Sequence, residues 1–338
     1  VQKQDVFSGE WEEKRRFNID LLKKDQNVDG LIGALQSEDA LTRQRAALAL
    51  GDFGDAKAIE PLIRVLGDPV QGVREAAADS LSMMGKPAVE PLIELIEHPE
   101  RSKKYEAPSG HLPAFEEPSL RREPPAGIEG MEEEEGVTVQ GVRPGMAWDV
   151  ETRRDLRRTY AAAVLGEIGE ARAVDTLVRA LKDENTDLRC QASGALIKMG
   201  SGAVQPVARM LTDQNPDIRV VAAGVLGDIG DPSAVDILIS ALHDDTDDVR
   251  GAAAGALVQI GSPAVDSLIE ATNDDDRWVR LYAAGALKYI GDPRAIDALE
   301  ELARDEDPDV RSVAEDAIEK IRMVREGMQT KPTPPTSR

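Results

Sequence analysis

Aromatic side chains are scarce in this chain: three Trp, four Tyr and four Phe among 338 residues. A core without rings has to be thin and filled by Ala, Leu, Val and Ile, which suits helix-on-helix layers. Cysteine is almost missing. Cys190 is the single one, which excludes an intramolecular disulfide and fits an intracellular chain. Basic residues are the minority, 41 Lys and Arg against 63 Asp and Glu, for a formal charge of −22. Phosphate contacts need clustered cations, so nucleic acid and anionic membrane surfaces are disfavoured as partners. No window approaches the run of about eighteen apolar residues that a bilayer span needs. The first segment mixes charges with Trp11 and Phe17 and has no apolar signal-peptide core, so a cytoplasmic location without membrane insertion is expected.

What is present is a repeat. An arginine in a common context recurs at Arg43, Arg74, Arg158, Arg189, Arg219, Arg250, Arg280 and Arg311, at intervals of 31, 84, 31, 30, 31, 30 and 31 residues. In the unit from Thr246 to Asn273, Asp247 and Asp248 open a helix A at its positive end. Val249, Ala252, Ala253, Ala256, Leu257 and Ile260 then form one apolar stripe at helical spacing. Gly261 ends that helix, and Pro263 begins a helix B carrying Val265, Leu268 and Ile269. Stacked hairpins of this kind make a helical solenoid in which no repeat buries its core alone.

The turn after helix A alternates in length. Gly54, Gly169, Gly230 and Gly291 are followed by a turn one residue longer than that after Gly85, Gly200 and Gly261. The true period is therefore a pair of repeats, 61 residues from Arg158 to Arg219 and again to Arg280, as duplication of a two-repeat block would give.

These units resemble the short HEAT-like repeats of the phycobilisome-lyase type, with their Asp-x-x-Val-Arg-x-x-Ala-Ala-x-Ala-Leu-Gly-x-Ile-Gly-Asp-x-x-Ala-Val core. The resemblance implies an all-α, right-handed α-α superhelical solenoid of HEAT-like repeats. It implies less about function, because that family includes bilin lyase subunits, deoxyhypusine hydroxylase and many scaffolds. The expected organisation is an N-terminal capping segment and helix pair (1–36), repeats (37–98), an extended Pro/Gly/Glu-rich insertion (99–151), repeats (152–306), a polar capping helix (307–325) and a Pro-rich tail (326–338). The insertion has lost all helical periodicity yet holds Tyr105, Phe115 and Trp148, and the N-terminal segment holds Trp11. These aromatics are read as arm anchors that dock on a partner or back on the solenoid.

No catalytic constellation emerges. His98, His111 and His243 have no neighbours at metal-ligand spacing, and Cys190 has no His or cationic cluster beside it in sequence. The resemblance implies paired His-Glu motifs for iron only in the hydroxylase, and the matching helix A positions here read Gln-Ala, Val-Ala and Tyr-Ala. No phosphate loop, zinc spacing or serine elbow is found. Acidic junctions such as Asp244 to Asp248 lack the glycine and terminal glutamate of a calcium loop and sit where helices need caps. The recurrent arginine is expected to pair with carboxylates of the inter-repeat turns. No cofactor, no metal and no enzymatic activity are expected.

Two faces remain for a partner. Helix B exposes an acidic third position and a variable seventh, which is basic at Arg64, Arg179 and Arg209 and acidic at Glu270 and Glu301, a column expected on the concave side. On helix A the outward third, seventh and tenth positions should be polar, yet they include Gly194, Val220, Gly224, Gly251, Gly255, Leu281 and Gly285, an apolar strip expected on the convex side; Gly51 and Gly227 occupy the tenth position. The chain is therefore read as a non-enzymatic protein–protein interaction scaffold or assembly subunit of a cytoplasmic complex. The alternative is an accessory or chaperone-like factor for cofactor attachment or enzyme maturation, by analogy with bilin lyases.

Overall fold

Capping residues and alanine-rich faces dictate where the helices of this protein begin and what they bury. The computed structural model describes residues 18–105 and 150–329. Trp11, His111, Phe115, Trp148 and the Pro-rich tail beyond 329 lie outside the described residues. Residues up to Val164 belong to one compact unit and those from Leu165 to a second. Unit 1 holds α1 (Ile19–Lys24), α2 (Val28–Ala34), α3 (Ala40–Phe53), α4 (Ile59–Val65), α5 (Gln71–Met84), α6 (Lys86–Glu97) and the first part of α7 (Val150–Ile168). Unit 2 holds the rest of α7, then α8 (Val174–Ala180), α9 (Thr186–Met199), α10 (Ser201–Ala208), α11 (Pro216–Ile229), α12 (Val235–Ala241), α13 (Asp247–Ile260), α14 (Val265–Ala271), α15 (Arg277–Ile290), α16 (Ile296–Leu302) and α17 (Pro308–Gln329). Long helices A alternate with short helices B, most of the latter entered through one turn of 3-10 helix.

The starts follow the capping chemistry. Asp39, Asn185, Asn215 and Asp276 each accept a backbone N–H of the first turn of α3, α9, α11 and α15 through the side chain. The buried stripes are the small residues the sequence offers: Ala46, Ala47 and Leu50 on α3, Ala222, Ala223 and Leu226 on α11, and Ala283, Ala284 and Leu287 on α15, all essentially without solvent contact. Such faces let helices approach closely at modest apolar area per residue.

At the tenth helix A position the structure corrects the sequence reading. Gly51 and Gly227 do not face outward; both are buried against the helix A of the next repeat. A Cβ on Gly51 would lie 2.9 Å from the Cα of Ser80 on α5, and one on Gly227 would lie 2.7 Å from the Cα of Ala256 on α13. Gly166, at the same register on α7, would meet the Cα of Ala195 on α9 at 2.6 Å. No L side chain fits these contacts without moving a backbone. The Ser80 hydroxyl fixes the first of them by donating 2.8 Å to the carbonyl of Ala47. Three pairs of helices A, α3 with α5, α7 with α9 and α11 with α13, are thus tightly joined, in step with the two-repeat period. At that register α15 carries Lys288.

The start of the insertion also differs from expectation. Pro99–Tyr105 is a 3-10 segment lying on α4 and α6, not irregular chain. Beyond the insertion, α7 seats directly on the preceding repeat within unit 1. Arg157 Nε donates to the carbonyl of Arg64 at 3.5 Å, and the Arg74 guanidinium lies 5.5 Å from the centre of the Tyr160 ring.

Each helix A ends on a glycine of positive φ, and the two turn lengths use two conformations. Gly230, before a longer turn, is left-handed helical at φ 68°, ψ 17°. Gly261, before a shorter one, has φ 76°, ψ −132°, a region essentially closed to other residues. Gly261→Ala is accordingly expected to destabilise unit 2 by about 2–3 kcal/mol, whereas Gly230→Asn costs about 1 kcal/mol or less. Chemical denaturation of the two variants beside the wild type checks this, and equal losses would contradict the assignment of two turn types.

Candidate protein-binding surfaces

The most elaborate polar construction in the molecule is a ladder of buried arginines at the junctions between repeats. Nη1 donates to carbonyls five and six residues earlier, from Arg43 to Ser37 and Glu38, from Arg219 to Asp213 and Gln214, and from Arg280 to Asp274 and Asp275. In Arg43, Arg219 and Arg280 the other edge of the guanidinium forks a carboxylate 25 residues later. Arg43 donates to both oxygens of Asp68 at 2.8 and 3.0 Å, Arg219 to Asp244 at 2.6 and 2.8 Å, and Arg280 to Asp305 at 2.7 and 3.0 Å. Parallel bonds of this kind combine charge with fixed geometry.

The expected pairing with turn carboxylates is thus present, but in alternate repeats. Where the turn is a residue shorter, the junction carboxylate falls one position early. Asp213 is then taken by Lys182, and Asp274 by His243 at 3.2 Å. The arginines of those repeats find other neighbours. Arg189 donates to the Thr186 hydroxyl at 3.0 Å. Arg250 donates to Asp247 at 3.0 Å and lies 4.9 Å from the Trp278 ring centre, with Tyr282 at 6.0 Å. Arg277 covers the same Trp278 at 4.3 Å, and the Tyr282 hydroxyl donates to Asp247 at 2.7 Å. Trp278 is nevertheless 37% exposed. The sequence reading had not singled out this cluster, although an aromatic two residues after a ladder arginine (Tyr160, Tyr282) was visible in it.

Protonation follows from the forks. Burial raises the Asp244 carboxyl, but the Arg219 fork with the amide and hydroxyl of Thr246 outweighs it and holds the group well below the usual carboxylate range. The Arg280 fork is the main cause that lowers Asp305. Among the described residues no three of His, Cys, Asp and Glu converge as a metal would require. His98 and His243 lie beside Glu100 and Asp274, and Cys190 is exposed.

The helix A strip lies in unit 2. Gly194 on α9, Gly224 on α11, Gly255 on α13 and Gly285 on α15 all have open space where a Cβ would be, and Gly255 is fully exposed. Gly251 lies beside the Tyr282 ring, and Val220 and Leu281 are half-buried. Unlike Gly51, Gly166 and Gly227, none of the four open glycines is required by packing between the described residues.

The helix B column divides between the units. Arg64, in unit 1, is half-buried, and Arg179, Arg209, Glu270 and Glu301, in unit 2, are exposed. The acidic third positions Asp29, Glu60, Glu90, Asp175, Asp236, Asp266 and Asp297 are all exposed. Arg294 shows that this row accepts a guanidinium, donating to Asp266 at 2.9 Å. Of the arm anchors, Tyr105 alone is described, and it is buried in unit 1.

Comparison with known proteins places these repeats. The family model for HEAT repeats matches residues 28–107, 151–213, 204–279 and 247–319. Over 84 residues the chain is 42% identical to the phycocyanobilin lyase subunit alpha of a Nostoc species, a stretch that is 22% of this chain and 30% of that protein. Over 71 residues it is 38% identical to the phycocyanobilin lyase subunit alpha of a Picosynechococcus species, 19% of this chain and 26% of that protein. The chain thus spans under a third of the length of these relatives. Among solved structures, the complex of CpcE and CpcF of phycocyanin lyase from Nostoc aligns at 26% identity and a TM-score of 0.34, over 44% of this chain and 99% of the other. Human deoxyhypusine hydroxylase aligns at 18% identity and a TM-score of 0.32, over 90% of this chain and 98% of the other.

The forks give a pH dependence with a definite sign. Asp244 and Asp305 have lower pKa values folded than unfolded, where an aspartate titrates at about 3.9. Their stabilisation is complete above about pH 5 and is lost as pH falls through the folded values. The melting temperature is therefore expected to hold from about pH 7 to 5 and drop steeply below about 4. Asp305→Asn should start lower at neutral pH and show a shallower acid limb. An equally steep limb in that variant would contradict the assignment.

Proposed function

Because the chain belongs to the HEAT-repeat family, we propose that it is a non-enzymatic protein-binding scaffold or assembly subunit of a cytoplasmic multiprotein complex. The observation that carries this reading is the helix A face of unit 2. In a chain of net charge −22, it presents an uncharged strip from Gly194 through Val220, Gly224, Gly251, Gly255 and Leu281 to Gly285, bordered by the partly exposed Trp278. Each open glycine costs its helix about 1 kcal/mol against alanine, and the described packing returns nothing for it. A polypeptide seated on the strip would, by close backbone approach and by the aromatic–arginine anchor at its border. In unit 2 the helix B residues Arg179, Arg209, Glu270 and Glu301 then supply polarity that orients a second segment. The basic residues come first and the acidic ones at the C-terminal end, and in a chain of net charge −22 that disfavours nucleic acid as the occupant.

A second reading has its own support. The 42% identity to a phycocyanobilin lyase subunit alpha favours an accessory role in cofactor attachment, in which the protein partner is a client that leaves. Both readings use a protein-binding surface and differ in how long the partner stays.

Native purification followed by mass spectrometry of co-eluting chains and a visible absorption spectrum separates them. The scaffold reading expects a stoichiometric partner and no chromophore; a bilin spectrum with a substoichiometric apoprotein would replace it by the client reading. Gly255→Glu is expected to strip the partner while leaving the melting temperature of the isolated chain unchanged or higher. Retention of the partner by that variant would remove the helix A strip from the interface.

A further inference from the structure

The segment Pro99–Tyr105 leaves the end of α6 and folds back over the helix B face of unit 1, against α4 and α6. Its chemistry there is specific. Tyr105 is 1% exposed, the bulkiest side chain buried so completely among the described residues. Lys104 Nζ donates 2.9 Å to Glu94 Oε2, lies 4.0 Å from Glu60 Oε1 and covers the Tyr105 ring at 4.8 Å. Arg101 adds a contact of 3.7 Å to Glu94. Glu60 is the third-position residue of α4 and Glu94 the seventh-position residue of α6, so one cation bridges the two helix B rows. A cleft of about 420 Å³ stays open beside the segment, lined by Glu60, Pro91, Ile93, Glu94, His98 and Lys104 among others.

The fit of the segment is incomplete. The Tyr105 hydroxyl is buried with no hydrogen bond of good geometry; burial pushes its phenol pKa up, and the Lys104 ammonium beside it offsets only part of that. An unsatisfied buried hydroxyl subtracts from what the ring gains by burial. The Lys104–Glu94 pair is itself more than a third exposed on both sides, so water screens it. The segment is anchored by one imperfect ring and one screened cation on a surface whose apolar floor and carboxylates extend beyond it.

We propose that this seat is a docking site for a partner polypeptide that presents a Lys or Arg beside an aromatic side chain, and that Pro99–Tyr105 occupies it in cis as a strap the partner displaces. The inference deepens the protein-binding reading above and rests on it. Two observations identify the occupant: a chain segment of that chemistry is seated there, and Glu60 and Glu94 are complementary to a cation. A short tether holds the strap at an effective concentration of about 1 mM, so a partner of equal intrinsic affinity gains the seat only when the strap is weakened or the partner makes further contacts.

The test uses the full chain and a fluorescein-labelled peptide with the sequence of residues 98–105. Fluorescence anisotropy is followed to about 1 mM peptide for the wild type and for the double variant Lys104→Glu with Tyr105→Ala, whose helical circular dichroism and melting are recorded alongside. The double variant is expected to bind the peptide at least tenfold more tightly than the wild type, and adding Glu60→Lys with Glu94→Lys should abolish that gain. Lys104→Ala alone, which keeps the ring in place and the fold undisturbed, is expected to show a smaller gain in the same direction. Peptide binding no tighter than wild type in both strap variants overturns the proposal. If partners still co-purify with the wild type in that case, the strap is discarded and the protein-binding reading stands. A peptide gain without any co-purifying partner keeps the seat and discards the stable complex.

Discussion

One aspartate at each alternate junction holds three pieces of chain at once, and the rest of the stack depends on it. The Asp68 carboxylate takes the Arg43 fork and accepts the Val70 amide, while its carbonyl accepts Arg74 Nη1 at 2.7 Å. Asp244 stands in the same way between Arg219, Thr246 and Arg250, and Asp305 between Arg280, Asp307 and Arg311. The end of one repeat, the start of the next and the angle between them are thereby set by a single side chain. Arg43 and Asp68 are each less than a tenth exposed, so neither charge is tolerable without the other. That mutual requirement fixes the 25-residue offset and, with it, the length of turn and helix B that can lie between.

The same constraint explains why the pair of repeats is the unit. A turn one residue longer delivers the aspartate into the fork, and the tenth-position glycine lets helices A close to backbone contact at Gly51 and Gly227. After a shorter turn no carboxylate reaches the arginine in this way, and at Arg74 and Arg250 a ring, Tyr160 or Trp278, lies over the guanidinium instead. At Gly51 and Gly227 an ion-paired joint is thus also glycine-tight, whereas the joints of Arg74 and Arg250 are stacked. Stacking is less directional than a bidentate pair, which makes the second kind of joint the more adaptable one.

Much of this was legible in the residues. The 3.6-residue stripes gave the helix pairs, the glycines gave both turns, and the recurrent arginine pointed to the junction carboxylates. Two features were not legible, for physical reasons. A helical wheel treats one helix in isolation, so Gly227 shares a phase with Gly224, although a lateral neighbour covers only the former. The seat of Tyr105 follows no period at all, because it depends on chain reversal after Glu97 and on two carboxylates 34 residues apart in sequence, Glu60 and Glu94. Composition does not say what would cover the open glycines.

With its polar groups committed to caps and forks, the molecule keeps its individuality on the surface: the uncharged helix A strip of unit 2, and the carboxylate rows of helix B with their cis-seated strap in unit 1. A stack whose register was set some other way would present neither row in line. The shared aspartate is thus the central claim, and a double-mutant cycle tests it most directly. Arg43→Met and Asp68→Asn, singly and together, are compared by denaturation with Arg250→Met and Asp274→Asn, a pair at nearly the same sequence offset that no hydrogen bond joins. The account predicts a coupling of about 2–3 kcal/mol for the first pair and under about 0.5 kcal/mol for the second. Equal coupling in the two cycles would contradict it.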